Sequence, residues 1–186
     1  MPTEPLIYHG VPPQMLGETL YPLYELKSLS PERYRTEIAK YDDHPARRKI
    51  PLAHVAKLNC TYIETLNFAP VHPHIIYRAW QELGVTLKSV LWFGVPLERL
   101  GASPAVITLP EAERAVGEDY ADDAVRWLEP AHYRELTVLP EATLRWYERL
   151  VQEKRRGAWF AHVPHVLVRG RVSVAGLTPL DWSLPR

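Results

Sequence analysis

This chain of 186 residues predicts an α+β fold, a single compact domain over residues 1–186 with a central, mainly antiparallel sheet and several helices. Three observations carry that expectation. Strand-type runs lie at the start, middle and end of the chain, with helical patterns between them. Apart from Pro12-Pro13, the 18 prolines are scattered singly, as in rigid loops joining many short elements, and do not cluster as in a flexible linker. The length suits one domain with a proper core.

Leu6–Gly10 is a short apolar run closed by glycine and predicts the first strand, after which Val11-Pro12-Pro13 turns the chain. Ser30-Pro31-Glu32 reads as a helix start, with Ser30 placed to cap and Pro31 at the first helical position, and the helix runs to about Lys40. Residues 52–69 alternate poorly and predict a mixed loop with short pieces of structure. Pro73 opens the best-punctuated helix. Ile75, Ile76, Ala79, Trp80 and Leu83 fall on one stripe of it, and Gly84 is a natural left-handed stop. Strands are expected at 87–95 and 105–109, with a single helical turn at 96–100 between them. The segment 111–123 is charged, and a helix is expected at 122–128. A stronger helix begins at Pro140-Glu141, with Leu144, Tyr147, Leu150 and Val151 on one face. Two strands, 159–169 and 171–174, are broken at Gly170.

Charge is balanced, with 22 basic and 22 acidic residues, so long-range attraction to nucleic acid or an acidic membrane is not the dominant theme. The single cysteine, Cys60, excludes an internal disulfide framework and reads as a small buried side chain. No apolar stretch approaches the roughly 20 residues needed to span a bilayer, and the first residues lack a basic leader with an apolar run. The expectation is a cytoplasmic protein without a membrane partner. Walker-type, G-x-G-x-x-G, G-x-S-x-G and H-E-x-x-H motifs are absent.

The residues with chemical potential are histidines and arginines. His72-Pro73-His74 sits at the start of a helix, the end whose dipole favours anions. With His162-x-x-His165 it makes two close pairs, and four imidazoles would suit zinc, nickel or copper in a metal-dependent hydrolase. The plainer alternative is polar residues lining a groove. Arg47-Arg48-Lys49 suits a phosphate or pyrophosphate, because a planar guanidinium fork matches those oxygens, but a charge run alone more often marks a solvated loop. The basic helix face ending Lys154-Arg155-Arg156 is open in the same way, a solvated face or a local guide for nucleic acid.

Several of these pieces occur in an order that resembles the DNA ADP-ribosyltransferase toxins, the DarT family. They are Ile7-Tyr8-His9, then Arg47-Arg48-Lys49-Ile50-Pro51, then the stretch from Phe68 to Tyr77, and finally Trp159 to Pro164. The resemblance implies an ADP-ribosyltransferase-like fold, NAD as cofactor and transfer of ADP-ribose to nucleic acid. It implies that His9 contacts the ribose of NAD, that Arg48 or Arg47 engages pyrophosphate or the acceptor, and that Tyr77 walls the nicotinamide pocket. His72 and His74 would line the same cleft. The family's late-strand glutamate is missing, because Trp159 stands at that register and no acid lies between Glu153 and Asp181. His162 and His165 are the candidates to replace it, and RNA 2′-phosphotransferases, which share the broader fold, are rich in histidine and arginine. The expected catalytic set is therefore His9, Arg48 and His162, and the expected binding set is His9, Arg47, Arg48, His72, His74, Tyr77 and His165. A non-catalytic module with a degenerate cleft is the competing expectation.

Overall fold

The computed structural model describes residues 4–43, 45–109, 114–155 and 159–185. Arg156, noted above, lies outside them. In chain order the strands are β1 (Leu6–Gly10), β2 (Thr19–Leu20), β3 (His54–Val55), β4 (Cys60–Thr61), β5 (Thr65–Phe68), β6 (Leu91–Pro96), β7 (Ala105–Thr108), β8 (Val125–Trp127), β9 (Val166–Arg169), β10 (Val172–Ser173) and β11 (Leu180–Asp181). The α-helices are α1 (Leu23–Leu29), α2 (Pro31–Ile38), α3 (Pro73–Glu82) and α4 (Glu141–Gln152), with short 3₁₀ turns among the connections. The fold is α+β. None of the described helices is long and apolar enough to cross a membrane.

The expected central sheet is replaced by two main sheets. One runs β1-β6-β11 and the other β5-β9-β7-β8, and all of their strand pairs are antiparallel. They are stitched together where the Tyr8 amide donates to the Ala69 carbonyl at 2.9 Å and the Ala69 amide donates back at 2.8 Å. Two-stranded ribbons, β2 with β10 and β3 with β4, complete the pairing.

Alternation along the strands explains why two sheets serve better than one. Ile7, Phe93 and Val95 from the first sheet and Phe68, Val166 and Val168 from the second enter one shared core. The opposite face of the first sheet carries Tyr8 and Trp92 into a second core, where Ile76 and Trp80 of α3 and Tyr147 and Leu150 of α4 cover it. The opposite face of the second sheet places Val106, Val125 and Leu167 against Val55, Leu58 and Cys60. Strands such as β1 and β9 are therefore buried on both faces. This is why Leu6–Gly10 and Val166–Arg169 read as continuous apolar runs.

Helix α3 follows its punctuation. Pro73 occupies the first turn, the His72 ring accepts from the His74 amide at 3.2 Å, and Gly84 takes a φ of +76° just past the end. Four expectations need correction. Asp122–Ala124 makes one 3₁₀ turn, and Val125–Trp127 is then an edge strand on β7, because β-branched Val125 finds a core slot there. The late strand begins at Val166 and not at Trp159, since Trp159–Val163 turns to pack on Trp182 and Trp92. In α4, Thr143 is buried, its hydroxyl donating to the Ala161 carbonyl at 2.9 Å, while Leu144 faces solvent. The Ser30 side chain makes no capping bond.

Gly117 locks the Tyr120 segment onto the turn that carries Arg47. Its φ is +84°, and a Cβ there would lie 2.6 Å from the Ala46 carbonyl oxygen and 2.7 Å from Lys49 Cβ. Gly117→Ala therefore combines a left-handed penalty with a backbone collision. It is expected to lower stability by about 2 kcal/mol in urea unfolding. A loss under a few tenths of a kcal/mol would show that the turn moves freely.

Candidate functional site

A cavity of about 450 Å³ opens at the His9 end of β1, between that strand, helices α1 and α2, the 3₁₀ turn at Tyr62 and strand β5. Its volume lies in the range of small-molecule sites. Part of its wall is aromatic, supplied by Phe68, Trp92, Trp159 and Phe160. Trp92 and Phe160 meet edge to face with ring centroids 5.5 Å apart. Polar side chains, chiefly His9, Arg33, Tyr62, Asn67 and His165, contribute the rest. A second hollow of about 340 Å³, against Ile107 and Trp127, holds none of the expected site residues.

His9 is fixed by its neighbours. Its Nδ1 lies 2.7 Å from the Gly10 carbonyl oxygen, which can only accept, so Nδ1 carries the proton and Nε2 of the neutral ring is an acceptor. Phe68 meets the imidazole edge-on at 5.3 Å. Burial holds its pKa below the usual histidine value; the Gly10 bond opposes this, Arg33 adds to the lowering, and Glu37 opposes it. His165 is also held low, at about 4, again by burial first and by the Arg114 charge second. Both rings are neutral at pH 7. Tyr41 and Tyr62 are kept protonated by burial, and the Tyr62 hydroxyl accepts from Asn67 Nδ2.

Helix α2 brings the charges. Arg33 is 7% exposed, and its Nε and Nη1 find no hydrogen-bond partner among the described residues. Burial pulls its pKa below the ordinary arginine value, partly offset by Glu37. Glu37 is itself bonded by Lys40 Nζ at 2.5 Å. Arg47 reaches the same cavity while pairing with Asp43, its guanidinium 5.9 Å from the Tyr41 ring. The buried Trp92 Nε1–H is a second donor without an acceptor among the described residues.

The cavity thus gathers His9, Arg47 and His165 from the expected set, and the others lie elsewhere. Arg48 is exposed and pairs with Asp42 at 3.5 Å, because its position on the 3₁₀ turn points it outward while Arg47 points in. His72 caps α3 and stands edge-on to Tyr8 at 5.2 Å. His74 donates through Nδ1 to the Trp182 carbonyl at 2.8 Å, and Tyr77 packs on both His74 and Trp182. His162 is exposed at a φ of +62° with its ring against Trp146. The pairs His72/His74 and His162/His165 do not form a four-imidazole site. Among the described residues no cluster of three or more His, Cys, Asp or Glu is placed to hold a metal. Cys60 is buried, and burial pushes its thiol up to about 11, which leaves it inert as a nucleophile.

The residues that sequence reasoning missed are Arg33, Glu37, Tyr41, Tyr62 and Asn67. A signal for the first three was present, since Arg33, Glu37 and Tyr41 recur at spacings of four residues and so share one stripe. Compared with known proteins, the chain matches no family model, no curated sequence and no solved structure.

Proposed function

We propose that the protein binds a nucleotide in the His9 cavity, with NAD as the ligand that the resemblance to ADP-ribosyltransferases singles out. One observation carries this reading: aromatic rings and buried polar groups are both presented to a single cavity of nucleotide-compatible size. A base or nicotinamide ring stacks against Trp92 and Phe160. A ribose hydroxyl donates to the free Nε2 of His9. Titration with NAD, followed by calorimetry and thermal shift, is expected to show saturable binding that His9→Ala weakens. Absence of binding by NAD and by adenosine alike overturns the reading.

One observation favours chemistry beyond binding. Transfer of ADP-ribose calls for a carboxylate near the sugar, and Glu37 of α2 lies on the cavity wall although the late strand brings no acid there. NAD consumption in the presence of DNA or RNA, lost in Glu37→Gln, would support the transferase. NAD bound but not consumed would make the chain a binding module.

A further inference from the structure

The cavity wall carries one buried cation, Arg33, whose charge Glu37 partly offsets but whose donors the described side chains leave unmet. Lys40 takes up Glu37 at 2.5 Å, and Asp43 takes up Arg47. His9 and His165 are neutral. What remains is Arg33, with two nitrogens buried and no acceptor for either among the described residues. Buried guanidinium N–H groups without acceptors are costly, and proteins retain such a group where a ligand supplies the missing oxygens. The position is not a frayed surface accident, since α2 packs against α1, whose Leu26 is 1% exposed and also lines the cavity.

We infer that Arg33 forms a phosphate-binding subsite in the His9 cavity, taking a phosphate group of the bound nucleotide with the Trp92 indole N–H as a further donor. The inference deepens the nucleotide reading and rests on it for the rest of the ligand. It also moves the anion-binding role from Arg48, which solvent and Asp42 already satisfy, to a residue on a different element. A guanidinium suits this task, because it is planar, permanently charged and presents several N–H vectors to tetrahedral oxygens. The neutral His9 imidazole near it adds hydrogen bonding without competing for the anion's charge.

The test uses inorganic pyrophosphate as the probe, at constant ionic strength, with adenosine as the phosphate-free control. Wild-type protein is expected to bind pyrophosphate in calorimetry and to melt at a higher temperature with it. Arg33→Gln is expected to lose at least about tenfold in that affinity, the loss of one or more charged hydrogen bonds. Without any anion, Arg33→Gln should melt at or above the wild-type temperature, because buried donors without acceptors have been removed. Equal pyrophosphate affinity in wild type and Arg33→Gln overturns the subsite. So does an anion-free Arg33→Gln that melts well below wild type or fails to fold, since Arg33 would then be a structural residue. Adenosine binding without a pyrophosphate effect overturns the subsite and leaves the nucleotide reading standing. Arg33-dependent pyrophosphate binding, with neither adenosine nor NAD bound, supports the subsite while the nucleotide reading falls.

Discussion

Trp182→Ala is expected to cost about 3–5 kcal/mol of stability, the range for removing a large aromatic side chain from a packed interior. Trp182 is fully buried, with its ring centroid 4.7 Å from that of Trp159, 5.6 Å from Tyr77 and 6.4 Å from Trp92. It is also tied by hydrogen bonds. Its indole N–H donates to the Lys88 carbonyl at 2.9 Å, its amide donates to Val90 at 3.1 Å, and its own carbonyl receives His74 Nδ1–H at 2.8 Å. The backbone bonds survive the substitution, so the loss measures ring packing and the orphaned Lys88 carbonyl. Trp182→Phe keeps most of the packing and should cost about 1–2 kcal/mol. Urea unfolding of the two variants checks both numbers, and a Trp182→Ala loss below about 2 kcal/mol would mean that Trp92 and Trp159 collapse into the gap. Only that collapse would deform the cavity they wall, so nucleotide affinity should fall in Trp182→Ala if the stability loss is small and hold if it is large.

Acid should weaken the protein through His165. The unfolded chain binds a proton at this residue near the ordinary histidine value of about 6.5, whereas the folded state holds it at about 4. Above pH 6.5 neither state is protonated there and the residue contributes no pH dependence. Between about 6.5 and 4 the unfolded state gains a proton that the native state refuses, so stability declines as pH falls. The decline levels off below the folded value, and its size is on the order of 3 kcal/mol. The charged group that faces it, Arg114, deepens the effect, and His9 adds to it in the same direction. Stability measured from pH 7 down to pH 4.5 should fall more gently in His165→Gln than in wild type. Parallel curves would show that the ring takes up its proton without resistance.

Elements with clear local punctuation were legible before folding. Leu6–Gly10, Pro31–Ile38, Pro73–Glu82 and Ala105–Thr108 carry proline starts, glycine stops or β-branched runs, and each forms where expected. Thr65–Phe68 and Leu23–Leu29 were not legible. The strand is four residues long and is recruited by β9, and the helix begins at an uncapped Pro22 and depends on packing against α2. The site divides in the same way. His9 is singled out by the resemblance and Arg47 by the basic run, where Arg48 is placed ahead of it. Arg33 and Glu37 lie in a polar stretch whose composition describes a solvated helix, and only tertiary packing turns that stripe inward. Residue type drew attention to the histidine pairs, but His74 and Tyr77 answer to Trp182, a partner more than a hundred residues away that no local pattern reveals.

Strand β1 has one more consequence. Ile7 faces the core between the sheets and Tyr8 faces the core beneath the helices, with its hydroxyl donating to Glu135 at 2.8 Å. The strand is thus a party wall. Neither core can melt alone without stripping a side from the other, so the two form a single cooperative unit in place of separable foldons. A slip of one residue along β6 would exchange Ile7 with Tyr8, strand the phenol in the wrong compartment and swing His9 out of its cavity. The alternation that divides the cores also sets the position of the imidazole.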